Sequence, residues 1–95
     1  MANKRDIKKD INYLTGEVIA DCFLYMHIHE GKNEEKAVEI VNAIVNLRNS
    51  LMEKVNHLPE GLKGKQVKVH YRTIYNELLA GMDEQLQVLS KLAAS

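Results

Sequence analysis

The sequence predicts an all-α protein in which three long antiparallel helices form an up-down-up bundle. Apolar residues recur at steps of three and four along three stretches of the chain. Two short segments, residues 31–33 and 58–61, carry the glycine, asparagine and proline that typically separate helices. The middle stretch has a broad apolar face, which is typical of a helix that packs against two neighbours. At 95 residues the chain is expected to form one helical domain, residues 1–95.

The first helix is predicted over residues 4–30 from apolar residues that share one helical face. Gly31 can adopt the left-handed backbone conformation that ends a helix, so a tight turn over residues 31–33 is expected to follow. The apolar positions that define the inner face are Ile7, Ile11, Leu14, Val18, Cys22 and Tyr25.

The second helix is predicted over residues 34–57. Asn33 is a suitable N-cap, and Glu34 and Glu35 follow it in the positively polarised first turn. Pro59 ends the helix because proline disfavours the helical conformation in the residue before it. Apolar residues cover about half of the helical circumference, and the polar residues share one wedge. That wedge consists of Glu35, Glu39, Asn42, Asn46, Asn49, Glu53 and Asn56.

The third helix is predicted over residues 65–92, with a narrow apolar face. Helices of about 24 to 28 residues are about 36 to 42 Å long, whereas a compact domain of this size has a radius of gyration of about 12 to 13 Å. A straight bundle would therefore be slender, and a dimer would supply the missing thickness. Kinks at the mid-helix glycines Gly16 and Gly81 would instead produce an irregular array of four or five helices.

The segment from Val18 to Ile28 is apolar on every side of the first helix. It is too short to cross a bilayer, which takes about 20 apolar residues, so protein must cover it. The other two helices can cover Cys22 and Tyr25, but the opposite side has no neighbour in a simple bundle. That uncovered side consists of Ala20, Phe23 and Leu24. We therefore expect a second copy of the chain to cover it in a homodimer. The alternatives are a third helix folded back at Gly81 and a protein partner that the sequence does not identify.

Asp21 lies within this segment, and a partner must satisfy its charge if an interface buries it. Arg48, which interrupts the apolar face of the second helix, is the candidate partner. Such an ion pair would set the register of a bundle or of a dimer. The alternative is that both side chains reach solvent at the edges of their helical faces.

Thirteen basic and thirteen acidic side chains cancel, so no net charge attracts the protein to nucleic acid or to an anionic membrane. Basic residues nevertheless gather at the start of the chain and around the start of the third helix. The second group, which we call the basic strip, consists of Lys63, Lys65, Lys68 and Arg72. Three of its members share a helical face that can meet phosphates, although no exposed aromatic residue lies among them. A nucleic-acid accessory protein that uses this strip is the alternative function.

The residues give no support for catalysis, a cofactor or a metal. His27 and His29 point to opposite sides of a helix, whereas two metal ligands on one helix should be three or four residues apart. Cys22 lies on the inner face, where burial raises the pKa of a thiol and makes it inert. The chain has no glycine-rich phosphate loop, Ser-His-Asp spacing or Cys-x-x-Cys motif. We therefore expect neither an enzyme nor a protein that binds a cofactor or a metal.

The chain opens with Met1-Ala2-Asn3-Lys4-Arg5-Asp6-Ile7-Lys8-Lys9 and continues with Ile11-Asn12-Tyr13, Glu17 and Asp21-Cys22. Over residues 1–25 it resembles a group of small all-helical bacterial proteins with no assigned function. The resemblance implies an all-α bacterial protein and assigns no catalytic or binding residue. A single cysteine and an N-terminus without the apolar region of a signal peptide favour the cytoplasm. The expected function is a small helical interaction or structural module.

Overall fold

The computed structural model describes residues 4–94, which form three α-helices and no strand. Helix α1 spans Lys4–Ile28, α2 spans Glu34–Asn56 and α3 spans Lys65–Ala94. The all-helical prediction with three main helices is confirmed. Helices α1 and α3 continue without interruption through Gly16 and Gly81, so the structure does not support the alternative of an irregular array of four or five helices.

Contacts between side chains show how the three helices run. Arg48 Nε of α2 donates to Asn12 Oδ1 of α1 at 2.7 Å, which places the second half of α2 beside the first half of α1. At the other end, Tyr25 Oη of α1 donates to the carbonyl of Leu92 in α3 at 3.3 Å. Helices α1 and α3 are therefore parallel, and α2 runs back between them. The bundle is slender, with extents of 51 × 19 × 17 Å and a radius of gyration of 15.5 Å.

The core consists of two clusters along the bundle axis. One cluster lies near the turn between α1 and α2 and consists of Val18, Cys22, Tyr25, Ala37, Ile40, Ile44 and Leu92. The other lies near the proline segment and consists of Ile7, Ile11, Leu51, Val55, Ile74 and Leu78. Leu47 and Met82 are half-buried and pack against both clusters. One continuous apolar interior therefore joins the three helices.

Thr15 is the one polar residue of the described chain that is fully buried. Its hydroxyl Oγ1 donates to the carbonyl of Ile11, one turn earlier, at 2.6 Å. This bond satisfies the hydroxyl inside the helix, so the polar atom needs no partner from another helix. Sequence periodicity placed Leu14 on the inner face, but Leu14 is only half-buried.

Gly81 allows α2 and α3 to approach each other closely. A Cβ atom at this position would lie 2.6 Å from Leu47 Cδ2 and 3.1 Å from Leu47 Cδ1. A glycine within a helix costs about 1 kcal/mol relative to alanine. Here the glycine permits close packing between α2 and α3, which gives it a structural role. Gly16 differs, because a Cβ atom there would meet nothing within 4 Å.

In the turn between α1 and α2, the structure agrees with the sequence prediction at Gly31 and differs from it at Asn33. Gly31 has a φ of 76°, the left-handed conformation expected at the end of α1. Asn33 also has a positive φ, of 58°, and its side chain makes no capping hydrogen bond to α2. Its Nδ2 instead donates to Tyr25 Oη at 3.2 Å. The expected side-chain N-cap is therefore wrong, because the Asn33 side chain binds Tyr25 of α1 and makes no hydrogen bond to the first turn of α2.

Candidate protein-protein interface on the outer face of α1

The side of α1 that faces away from the core carries a continuous row of uncharged side chains. We call this row the outer stripe. It consists of Tyr13, Gly16, Ala20, Phe23, Leu24 and His27, all of which are exposed. Tyr13 is 65% exposed, and Phe23 and Leu24 are each 56% exposed. Ile28, which is 63% exposed, lies one turn beyond Leu24.

The composition of the outer stripe is unusual for the outer face of a helix in a small bundle. Such a face normally carries charged and polar residues, as α2 does in its wedge of glutamates and asparagines. Single exposed apolar residues are common on protein surfaces, but the outer stripe extends over about four helical turns. Between Lys9 and Lys32 the chain has no lysine or arginine. The three residues expected to lack a neighbour, Ala20, Phe23 and Leu24, are all uncovered in the structure.

The other large apolar residues that are exposed lie on several faces of α2 and α3. They are Val38, Val69, Leu79, Leu86 and Val88. Leu79 and Leu86 are two helical turns apart. None of these residues has an exposed aromatic neighbour of the kind that Phe23 provides for Leu24. The outer stripe therefore differs from these positions in carrying two adjacent large apolar side chains, Phe23 and Leu24, that are both exposed.

Asp21 and Arg48 do not form an ion pair within the chain. Asp21 is exposed, whereas Arg48 donates to Asn12 Oδ1 and, through Nη1, to Asn49 Oδ1 at 3.1 Å. Asn12 lies nine residues before Asp21, which is about 13 Å along α1, so Arg48 is at the wrong level of the bundle. As a contact within one chain the predicted pair is wrong. An ion pair joins Lys54 Nζ to Glu77 Oε2 at 2.6 Å.

Potentially reactive side chains take part in packing. Cys22 is fully buried, and burial raises the pKa of its thiol, with a further contribution from the nearby Asp21 carboxylate. The His29 ring stacks on Tyr25 with ring centroids 4.6 Å apart. His70 Nε2 lies 3.3 Å from the carbonyl oxygen of Lys54. Within residues 4–94 no three His, Cys, Asp or Glu side chains come together in an arrangement suited to a metal ion.

Charge is strongly separated along the bundle axis. We divide the molecule near the level where Leu47 meets Gly81 and define a basic half, residues 4–16 and 47–80, and an acidic half, residues 17–46 and 81–94. The basic half has ten of the thirteen Lys and Arg residues and five of the thirteen acids. The acidic half has three basic and eight acidic residues. The neutral chain is therefore a long dipole with a net charge of +5 in one half and −5 in the other.

The two groups of basic residues that are separate in the sequence lie in the same half of the structure. All four members of the basic strip are exposed, and so are Lys4, Arg5 and Lys9 at the start of α1. The parallel course of α1 and α3 explains why both groups reach this end. The net charge of the sequence does not show this separation of charge, because the separation depends on which helix ends lie side by side in the bundle.

No helix among residues 4–94 is long and apolar enough to cross a lipid bilayer. No protein-family model matches the chain, and neither a curated protein nor a solved structure matches it. The bacterial resemblance of residues 1–25 gains no support from these comparisons and stays a prediction, and its first three residues lie outside the described chain. The function must therefore be argued from the surfaces described above.

Proposed function

We propose that the protein is a small helical module that forms a homodimer through the outer stripe of α1 and acts through protein contacts. The observation that carries this proposal is the pair Phe23 and Leu24, adjacent residues that are more than half exposed on the side of α1 opposite the core. Large apolar side chains that are adjacent and uncovered are typical of interaction sites. On the sequence grounds given above, the proposed location is the cytoplasm. The proposed role includes no catalytic step.

A second copy of the chain is the partner that best fits the outer stripe. Two identical stripes related by a two-fold axis bury the same residues twice, which is the usual arrangement in homodimers. Because fully buried aromatic side chains cover about 150 to 250 Å² each, the exposed fractions of Tyr13 and Phe23 offer about 240 Å² in one copy. A symmetric contact buries this area in both copies, about 480 Å² in total, and the neighbouring residues add to it, whereas stable interfaces bury about 1,200 Å² or more. A dissociation constant in the micromolar range is therefore expected.

The proposal is tested by measuring molecular mass in solution by sedimentation or light scattering over the micromolar range. The wild-type chain is expected to be a dimer that dissociates on dilution. Phe23→Asp and Leu24→Asp place a charge in the contact and are expected to give monomers with unchanged helix content by circular dichroism. Leu79→Asp is the matched control, because Leu79 is 55% exposed on α3 and outside the stripe. A wild-type chain that is monomeric at several hundred micromolar would refute the proposal.

A second candidate function is nucleic-acid binding by the basic half, and the convergence of two basic groups at one end favours it. Four phosphate contacts made by the basic strip would reduce affinity about a hundredfold between 50 and 200 mM salt. Labelled DNA or RNA is expected to shift at low salt, and Lys65→Glu combined with Lys68→Glu is expected to abolish the shift. Lys32→Glu combined with Lys36→Glu removes the same charge from the acidic half and serves as the control. Failure to bind at low salt would end this candidate.

A further inference from the structure

We infer that the two copies pack α1 against α1 in antiparallel orientation, with the two-fold axis at the level between Ile19 and Ala20. This orientation rests on the proposed dimer and adds the register of its contact. In an antiparallel pair, residues equally far before and after the axis lie opposite each other. Two independent observations, the sizes of the outer side chains of α1 and the charges of Lys9 and Glu30 near its two ends, give the same register.

Side-chain size is complementary about Ala20. Gly16 lies one turn before Ala20, and a Cβ atom at Gly16 would meet nothing within 4 Å. Phe23 lies about one turn after Ala20 and is more than half exposed. Antiparallel packing sets Phe23 of each copy against Gly16 of the other, so the largest side chain meets the position that has none. A parallel pair would set Phe23 against Phe23 and Gly16 against Gly16, with crowding at one level and a gap at the other.

One pair of oppositely charged residues is placed symmetrically about the same axis. Lys9 is exposed on α1, eleven residues before Ala20, and Glu30 is exposed ten residues after Ala20, in the turn that follows the end of α1 at Ile28. The register that sets Phe23 against Gly16 also brings Lys9 of each copy to the level of Glu30 of the other. Two such pairs would border the apolar contact, one at each end.

The charge of the whole molecule favours the same orientation. Antiparallel packing lays the basic half of one copy beside the acidic half of the other, whereas parallel packing lays like charges side by side. Complementary potentials suppress wrong arrangements of an interface because like charges in contact are costly. The separation of charge along a 51 Å molecule therefore selects the antiparallel dimer.

Cross-linking with a short bis-maleimide distinguishes the orientation from the existence of the dimer. Ala20→Cys lies at the axis and is expected to cross-link in either orientation, and wild type is the control because its Cys22 is buried. An equimolar mixture of Lys9→Cys and Glu30→Cys is expected to give a 9–30 product, and each variant alone is expected to give none. Cross-linking of each variant to itself, or no 9–30 product where Ala20→Cys does cross-link, would overturn the orientation. A monomeric Ala20→Cys chain that does not cross-link would overturn the dimer itself.

Charge reversal gives a second measure of the register. Lys9→Glu and Glu30→Lys are each expected to weaken dimerisation about tenfold, because each change creates two like-charge contacts in the symmetric pair. The double variant Lys9→Glu with Glu30→Lys restores opposite charges and is expected to regain most of the affinity. Lys68→Glu changes the same half of the molecule by the same charge on α3 and is expected to have a smaller effect. Equal effects of Lys9→Glu and Lys68→Glu, with no recovery in the double variant, would overturn the Lys9 to Glu30 contact.

Discussion

Replacing Leu24 and Leu79 by alanine, one at a time, isolates the contribution of the outer stripe. The two leucines are 56% and 55% exposed, and both lie within helices. The same three carbon atoms are removed in both variants, from surfaces that are equally free in the monomer. Only Leu24 belongs to the outer stripe, so any difference in self-association between the variants reports where the second copy binds.

The size of the expected difference follows from the exposed fraction. Full burial of a leucine side chain stabilises by about 1.5 to 3 kcal/mol, so covering the exposed half of Leu24 contributes about 1 kcal/mol. A symmetric dimer buries two copies of this residue, which gives about 2 kcal/mol per dimer. At 1.4 kcal/mol for each factor of ten, Leu24→Ala is expected to raise the dissociation constant about 30-fold. Leu79→Ala is expected to leave it within about twofold.

Sedimentation equilibrium over a hundredfold range of concentration measures both dissociation constants. Urea unfolding monitored by circular dichroism measures the stability of each chain at a concentration where it is monomeric. Alanine has a high helix propensity, and both positions are exposed, so neither variant is expected to lose more than about 0.5 kcal/mol of folding free energy. Equal dissociation constants for the two variants would refute the outer stripe as the dimer surface.

Three further predictions concern the two helical glycines and one tyrosine. Gly16→Ala is expected to stabilise the folded chain by about 0.5 to 1 kcal/mol in urea unfolding, because its Cβ atom has open space. The same variant is expected to weaken the dimer by filling the position opposite Phe23, and a dimer affinity equal to that of wild type would argue against this contact. Gly81→Ala is expected to destabilise the chain by about 1 kcal/mol despite better helix propensity, because its Cβ atom would lie 2.6 Å from Leu47 Cδ2, and a gain in stability would show that Leu47 moves freely. Burial, followed by the hydrogen bond from Tyr75 Oη to Asp10 Oδ2, raises the pKa of Tyr75 to about 12; the folded state therefore favours the neutral phenol, and its contribution is complete below pH 10 and lost as pH rises from about 10 to 12. The stability difference between wild type and Tyr75→Phe is expected to shrink over that interval, and parallel stability curves would contradict the Tyr75 to Asp10 contact.

The helices were predictable from the sequence because their signals are local. Periodic apolar residues, Gly31 and Pro59 each act within a turn or two of the chain, and α2 and α3 begin at the expected residues 34 and 65. The exposure of Phe23 was predictable for the same reason, since a helical wheel places it opposite the inner face.

The features that the sequence did not predict depend on contacts between helices. The partner of Arg48 depends on the relative heights of α1 and α2, which local patterns do not specify. The close approach at Gly81 requires the position of Leu47, and the side chain of Asn33 turns to Tyr25 because α1 lies within reach. Separation of charge into two halves likewise follows from the direction of each helix, so a neutral composition concealed it.

The two proposed functions use different surfaces and are compatible with each other. The dimer occupies the outer stripe of α1, whereas Lys65, Lys68 and Arg72 belong to α3 and are exposed. An antiparallel dimer carries one basic half towards each of its ends, so a long polyanion would meet two separated sites. Binding at two linked sites strengthens overall attachment without any new contact. Loss of the dimer through Leu24→Ala would then weaken nucleic-acid binding indirectly. Loss of the basic strip through Lys65→Glu and Lys68→Glu would leave the dimer intact. This difference would show that nucleic-acid binding depends on dimerisation and that dimerisation does not depend on nucleic-acid binding.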